Sequence, residues 1–282
     1  MLLHRRAFAL ALLAFGTTLA NGASSQPDLK ALLAGMDRAS RLYLDAALRF
    51  TCDETITQSI PRGIHVGRYQ YIFVYDAREG FKDYRMRAGR GDRPAVDPAR
   101  EGFRILQRSY FWVLIFQGKR QAYHRYAILG EASWGGASVL LLRFEPLPPY
   151  REGINDWFGT AWVDPSSFQI LKVEATRADQ KDAWDWVLRD PKAEEAHAWT
   201  GAEKSFTLQK VSTEFKSLKN GMRFPSRSRV VQARYELAHA GQEAARVSEE
   251  DTVQTYRHYK FYGVRSTEEI RSLLSVHGGK RR

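Results

Sequence analysis

The sequence predicts an α+β protein with one strongly curved antiparallel sheet, a half-open β-barrel with an N-terminal helix and a second helix packed on the concave face. Apolar residues recur at three- and four-residue steps over 27–50, and the period then changes to two. Runs of β-forming residues alternate with turn signals as far as residue 262. An antiparallel sheet of that many strands tends to curl, which leaves a concave face for helices.

The first 22 residues have the features of a cleavable export signal. Basic residues precede the apolar run 7–20, which is shorter than the roughly 20 residues that a membrane-spanning helix needs. Arg5-Arg6 also resembles a twin-arginine signal, so both general and twin-arginine export stay open, with a permanent anchor as the alternative. Because no cysteine follows the run closely, we expect no lipidated N-terminus and a periplasmic or secreted protein.

The composition is that of a basic chain large enough for one sizeable core. It has 282 residues, a formal net charge of +11 and a single cysteine. About 260 residues follow the signal, which suits one large β domain. The charge suits an anionic membrane surface as a partner, and we expect no nucleic-acid partner in that compartment. Cys52 cannot form an internal disulfide and lies in a predicted strand, so we expect a buried thiol.

The strands that follow helix 27–50 are predicted from β-forming residues bounded by Gly, Pro and Asn. They are 51–60, 67–76, 81–87, 121–129, 138–145, 159–164, 168–176, 207–217, 222–233 and 245–262. The strongest local hairpin signals are the Asp164-Pro165 and Asn220-Gly221 turns.

The apolar segment 103–116 could be a buried helix or a strand, since periodicity alone does not decide. The absence of Gly and Pro across it favours the helix, which we place on the concave face. We expect a single domain over 27–265 with a tryptophan-bearing insertion at 179–205. A short helix and a disordered basic tail are predicted over 266–282.

The motifs of several common enzyme and metal sites are missing from the sequence. It has no nucleophile elbow, no paired-cysteine site and no phosphate loop, and no two of its seven histidines lie three or four residues apart. We therefore predict no catalytic residue, no metal site and no cofactor. Acidic pairs such as Asp53 and Glu54 could still converge in space, so a carboxylate-dependent hydrolase is the least favoured alternative.

Aromatic and apolar side chains are enriched on the predicted strands and on the segment 103–116. Lining a curled sheet, they would form an apolar groove that suits acyl chains, because apolar binding scales with buried area. The alternative is that they are simply core. The predicted ligand-binding residues are Tyr71, Phe73, Trp112, Phe116, Leu140, Leu142 and Trp162.

Residues 159–174 (GTAWVDPSSFQILKVE) resemble a recurrent strand, Asp-Pro turn and strand segment of the periplasmic lipoprotein-carrier superfamily of LolA, LolB and RseB. Residues 221–228 (GMRFPSRS) resemble the strand entry that follows it. The resemblance extends over most of 27–265, from a leading helix through successive strands. It implies a half-barrel that encloses acyl chains between sheet and helices, although the insertion at 179–205 and the basic tail depart from the known carriers.

The leading hypothesis is therefore an exported protein that shelters a lipid, a lipoprotein acyl chain or another apolar ligand in a half-barrel groove. The alternative is an envelope protein-protein interaction or sensor module, in which the apolar face is core and the partner is another protein.

Overall fold

A computed structural model describes residues 28–46, 49–60, 63–76, 80–89, 95–103, 109–149, 157–180, 205–237 and 244–262. The signal peptide predicted over 1–22, most of the insertion predicted over 179–205 and the helix and tail predicted over 266–282 lie outside these ranges. None of the described helices is long and apolar enough to cross a membrane.

Strands dominate the described chain. They are β1 Arg49–Ile60, β2 Gly63–Asp76, β3 Gly80–Arg87, β4 Ala95–Val96, β5 His124–Trp134, β6 Ala137–Pro146, β7 Trp157–Val163, β8 Ile170–Arg177, β9 Ser205–Glu214, β10 Ser217–Lys219, β11 Met222–Phe224, β12 Arg227–Leu237 and β13 Ala244–Phe261. The helices are α1 Leu29–Ala46, the single turn α2 Gly118–Gln121, and three 3-10 helices at Pro98–Glu101, Ser109–Leu114 and Ala178–Gln180.

Eleven of the described strands form one antiparallel sheet in the order β4-β3-β2-β1-β13-β12-β9-β8-β7-β6-β5. The last strand, β13, returns to pair with the first, with Thr255 opposite Thr55. Strands β10 and β11 form a separate hairpin. Because the end strands β4 and β5 are not paired with each other, the sheet stays open, and the predicted fold class is confirmed.

Helix α1 covers the inner face of the sheet with the apolar stripe that the sequence predicts. Leu32, Met36 and Tyr43 are each 3 % exposed or less. The helix ends at Ala46 rather than at residue 50, since Phe50 is already an inward-facing strand residue opposite Phe73. Inward side chains from both halves of the sheet pack in one apolar cluster with this helix, so the sheet curves around it. We refer to this inner side as the concave face.

Among its described residues, the apolar segment predicted as a helix over 103–116 contains the 3-10 helix Ser109–Leu114 and not an α-helix. Residues 104–108 lie outside the described ranges. A 3-10 turn is common in short connecting pieces, where tertiary contacts and not intrahelical bonds fix the backbone.

Both predicted hairpin turns are confirmed, and each is explained by its own side chains. Asn220 and Gly221 have φ angles of 51° and 75°, the left-handed values that an Asn-Gly turn requires. At the β7–β8 turn, the Asp164 carboxylate accepts hydrogen bonds from the Ser166 backbone N–H at 2.9 Å and from the Ser167 hydroxyl at 2.8 Å. These bonds fix the turn that joins the two strands.

We expect Asp164→Ala to lower the free energy of unfolding by about 1 kcal/mol at neutral pH, since it removes these bonds. Burial acts to raise the pKa of the Asp164 carboxyl, but the hydrogen bonds from Ser166 and Ser167 outweigh it and hold that pKa below its ordinary value. The stabilisation is therefore present at neutral pH and is lost as the pH falls through the lowered pKa. Urea unfolding of both proteins at neutral and acidic pH measures this, and a pH-independent difference would contradict it.

Candidate functional site: the concave face and its plug

The concave face is filled by residues 109–116, which we call the plug. Of the seven successive plug positions 110–116, only Phe111 is partly buried. The other six are 3 % exposed or less: Tyr110, Trp112, Val113, Leu114, Ile115 and Phe116. The plug belongs to no strand of the described sheet. The plug is thus an apolar segment that packs into the concave face of the sheet without taking part in the backbone hydrogen bonds between its strands.

Hydrogen bonds tie the plug mainly to the helical side of the structure. The Ser40 hydroxyl of α1 donates to the Val113 carbonyl at 2.6 Å. The Gln121 amide nitrogen donates to the Phe116 carbonyl at 2.8 Å. At the other end of the plug, the Ser109 and Tyr256 hydroxyls lie 3.2 Å apart, which is a bond to strand β13.

Against the sheet, the plug is held by ring packing. The Tyr110 ring centroid lies 4.5 Å from that of Phe73 and 5.1 Å from that of Phe50. At the far end, the Phe116 ring meets the Phe144 ring edge-on at 5.5 Å. Such contacts are not directional in the way that hydrogen bonds are, so another apolar group of similar volume can replace them.

The structure brings six of the seven predicted ligand-binding residues together in one cluster and places the seventh elsewhere. The six are buried in the core that the plug shares with the concave face: Tyr71, Phe73, Trp112, Phe116, Leu140 and Leu142. The groove predicted from the sequence is therefore filled by the chain's own plug. The cavity that remains between α1, the plug and the β7–β8 turn has a volume of only about 10 Å³.

Trp162 lies on the opposite, convex face of the sheet. Its neighbours Ala161 and Val163 take the inward positions of β7, and a strand alternates its faces. The Trp162 ring is covered by the Lys172 ammonium, which lies 4.5 Å from the ring centroid and equally close to the ring of Trp134. A bulky aromatic residue is thus half-buried here without contributing to the concave face.

The Trp112 indole inside the plug has an unmet hydrogen bond. Its Nε1 is buried and has no hydrogen-bond partner among the described residues, while the side chain is 3 % exposed. The hydroxyl of Tyr126 on β5 is in the same condition. An unpaired buried donor costs roughly 1–3 kcal/mol, so the described part of the plug includes an unsatisfied polar group.

A buried ion pair bounds the apolar cluster on the concave face. The Arg85 guanidinium of β3 bonds both oxygens of Glu54 on β1, through Nε at 2.5 Å and Nη2 at 3.1 Å. The side chains are 8 % and 0 % exposed. Burial disfavours the charge on Arg85, but the Glu54 carboxylate outweighs it and raises the pKa of Arg85 above its ordinary value. Asp83 supplies a second carboxylate to Arg85 at 3.1 Å.

A neighbouring amide adds one more hydrogen bond to Glu54. The Gln254 amide donates to Glu54 Oε1 at 3.0 Å and to the Tyr256 hydroxyl at 2.9 Å. Beyond this layer lies a smaller apolar cluster of Ile56, Tyr69 and Phe103. Sequence reasoning missed the layer, although Glu54 falls on the inward face of β1 with Phe50 and Ile56, a position where a carboxylate needs a partner.

Cys52 and His258, two further side chains with reactive groups, make contacts that are explained by the fold. Cys52 is 2 % exposed, and burial raises the pKa of its thiol, so the predicted buried thiol is confirmed. His258 contacts the Asp53 carboxylate at 2.7 Å on the exposed surface. Among the described residues, no group of three or more His, Cys, Asp or Glu side chains could hold a metal ion.

No protein-family model matches the chain, and no curated protein matches it. The solved structures that are similar to it include the following three. A candidate outer membrane lipoprotein-sorting protein domain from Vibrio parahaemolyticus is 12% identical, with a TM-score of 0.45, and the match covers 88% of this chain and 100% of that one. A DUF1329 family protein from Desulfovibrio piger is 14% identical, with a TM-score of 0.44 and coverages of 88% and 100%.

The third is a LolA superfamily protein from Nitrosomonas europaea, 13% identical, with a TM-score of 0.38 and coverages of 85% of this chain and 96% of that one. Solved proteins of lipoprotein-sorting and LolA type are thus similar to this chain, as the resemblance drawn from residues 159–174 predicts.

Proposed function

We propose that the protein is an exported binding protein that takes an apolar ligand, such as a lipid or a lipoprotein acyl chain, onto the concave face by displacing the plug. The observation that carries the proposal is the plug itself: a run of buried apolar side chains fills the sheet without joining its hydrogen-bond ladder. The periplasmic or secreted location is part of the proposal and rests on the export signal predicted over 1–22.

The energies of the two occupants are comparable. Burial of one Val, Leu, Ile or Phe side chain contributes roughly 1.5–3 kcal/mol, so the plug contributes on the order of 10 kcal/mol. An acyl chain gains about 0.8 kcal/mol per buried methylene, so a chain of about 14 carbons contributes a similar amount. Within the described residues, the Trp112 indole nitrogen has no hydrogen-bond partner in the plugged state, which weakens that state further. Exchange of plug for ligand is therefore close to balanced, as a binding and release cycle requires.

Native mass spectrometry of the purified protein, together with displacement of a fluorescent fatty acid, tests the proposal. We expect bound lipid or saturable probe binding, with competition by unlabelled fatty acid. Absence of both bound lipid and probe binding would refute it.

A variant that loosens the plug should bind the probe more tightly. Ser40→Ala removes the 2.6 Å bond to the Val113 carbonyl and leaves the sheet untouched. Since a displaced plug is the binding-competent state, a loss of about 1 kcal/mol in the plugged state predicts about fivefold tighter probe binding. Titration of the probe by fluorescence measures it.

Ser228→Ala is the matched control for this variant. Ser228 is also fully buried, but its hydroxyl lies 2.9 Å from that of Thr213 on a neighbouring strand and not from a plug atom. It should lower stability by a similar amount and leave the probe affinity unchanged. Equal affinity changes in both variants would contradict the role of the plug.

A further inference from the structure

Strand β2 extends beyond its neighbour β3, so part of its edge has no partner among the described residues. The two strands pair from Asp76 opposite Gly80 to Tyr69 opposite Arg87, and the Ala88 N–H then donates to the Arg68 carbonyl at 3.0 Å. On its other side, β2 stays paired with β1 as far as Gly63. Among the described residues, none pairs with the β3-side edge of 63–67, which we call the free edge.

The direction of the backbone groups along the free edge follows from antiparallel geometry. Alternate residues of a strand point their N–H and C=O to alternate neighbours. Since the Arg68 carbonyl points toward β3, the N–H and C=O of Val66 and Ile64 point the same way, into the unpaired space. Both side chains are also large apolar groups on the surface, Ile64 69 % and Val66 56 % exposed.

A cleft of about 400 Å³ lies along the free edge. Its lining joins apolar rings to charged groups: His65, Arg68, Tyr69, Arg87, Glu101 and Phe103. The Tyr69 hydroxyl donates to Glu101, and Arg87 bonds the other oxygen of that carboxylate at 2.8 Å. Arg68 makes no ion pair with any described residue. Because Arg87 is already paired with Glu101, Arg68 gives this end of the strand a positive charge that no described carboxylate pairs.

We propose that the free edge binds an extended peptide segment of a partner protein, as an added strand that carries an acidic side chain beside Arg68. The backbone of such a segment completes the ladder at Val66 and Ile64 where β3 ends. Its side chains alternate between the cleft over Tyr69 and Phe103 and the apolar outer surface of Ile64 and Val66. Strand addition of this kind takes affinity from main-chain bonds and specificity from alternate side-chain pockets.

The charge selects this occupant over a second copy of the chain. The free edge itself (GIHVG, 63–67) has no acidic residue, so a second copy paired there would offer Arg68 no carboxylate, whereas an acidic partner segment does. Natural sheets usually protect a free edge by a charge, a proline or a covering segment. Here the exposed apolar pair Ile64 and Val66 accompanies the free edge. The proposal is independent of the plug, which lies in a different cluster of the concave face.

The test uses the purified protein and a fluorescein-labelled hexapeptide of alternating valine and aspartate, with fluorescence polarisation as the readout. Val66→Pro removes the edge-facing N–H and leaves the β1 ladder intact, since that N–H points away from β1. Val66→Thr keeps the N–H and the β-branched shape and is its matched control. Arg68→Glu reverses the charge, with the exposed Arg125→Glu on β5 as its control.

We expect saturable binding that is about tenfold weaker in Val66→Pro and in Arg68→Glu, the loss of roughly one good hydrogen bond or ionic contact, and unchanged in both controls. A hexapeptide of alternating valine and lysine should bind about tenfold more weakly than the aspartate peptide. Thermal unfolding followed by circular dichroism verifies that each variant is folded, and fatty-acid binding should be unaffected by Val66→Pro. The proposal is overturned if the wild type does not bind the aspartate peptide, or if a folded Val66→Pro variant binds it as well as Val66→Thr does. It is also overturned if light scattering finds a dimer that Val66→Pro dissociates.

Discussion

Phe50→Ala should lower the free energy of unfolding by about 3–5 kcal/mol, the usual range for removing a large buried aromatic side chain. Phe50 is 1 % exposed and lies where β1, β2, the plug and the β11 hairpin meet. Its ring stacks on Phe73 at 5.0 Å and meets Tyr110 of the plug at 5.1 Å. Its ring centroid also lies 5.9 Å from that of Phe224. The cavity left by the truncation would border rigid strands on most sides, so it cannot collapse fully.

Denaturant unfolding of the wild type and the variant measures this effect. Leu42→Ala is the control, because Leu42 is 55 % exposed on the outer side of α1, and its change should stay within about 0.5 kcal/mol. A loss below about 1 kcal/mol for Phe50→Ala would mean that this part of the concave face is loosely packed. The plug would then not be held by the rings named above.

The sequence predicts those parts of this fold that depend on neighbouring residues. The Asn220-Gly221 and Asp164 turns are specified by side chains within a few positions, and both are correctly predicted. Cys52 lies in the strand predicted over 51–60 and is buried as expected. Helix α1 follows from its apolar stripe for the same reason.

Features that depend on distant residues could not be predicted in the same way. The plug has no period of its own, and its 3-10 form follows from contacts with α1 and with strands far along the chain. The partner of Glu54 is 31 residues away, so nothing near Glu54 distinguishes it from an exposed carboxylate. The sequence predicts Trp162 as a groove residue because it is an aromatic side chain on a predicted strand, whereas its face depends on the register of β7 between β6 and β8.

The buried pair of Arg85 and Glu54 should also show a large effect, and an asymmetric one. Arg85→Met leaves the fully buried Glu54 carboxylate with only the Gln254 amide among the groups described above, so we expect a loss of about 3–5 kcal/mol. Glu54→Leu should cost less, because Asp83 still lies 3.1 Å from the Arg85 guanidinium and compensates its charge. Urea unfolding of both variants at neutral pH gives the two values.

A double variant shows whether Glu54 and Arg85 contribute to the free energy of unfolding as a coupled pair or as two separate side chains. Glu54→Leu with Arg85→Met buries no charge at this position, so its loss should be smaller than the sum of the single losses by about 1.5–3 kcal/mol. The exposed pair of Arg229 and Asp251, 2.7 Å apart, is the control, and Arg229→Met should cost no more than about 1 kcal/mol. Additive losses at Arg85 and Glu54 would instead show that the two side chains act separately. In that case the polar layer would not be a coupled boundary between the plug's apolar cluster and the cluster beside the free edge, because only a coupled pair loses its burial cost when both charges are removed together.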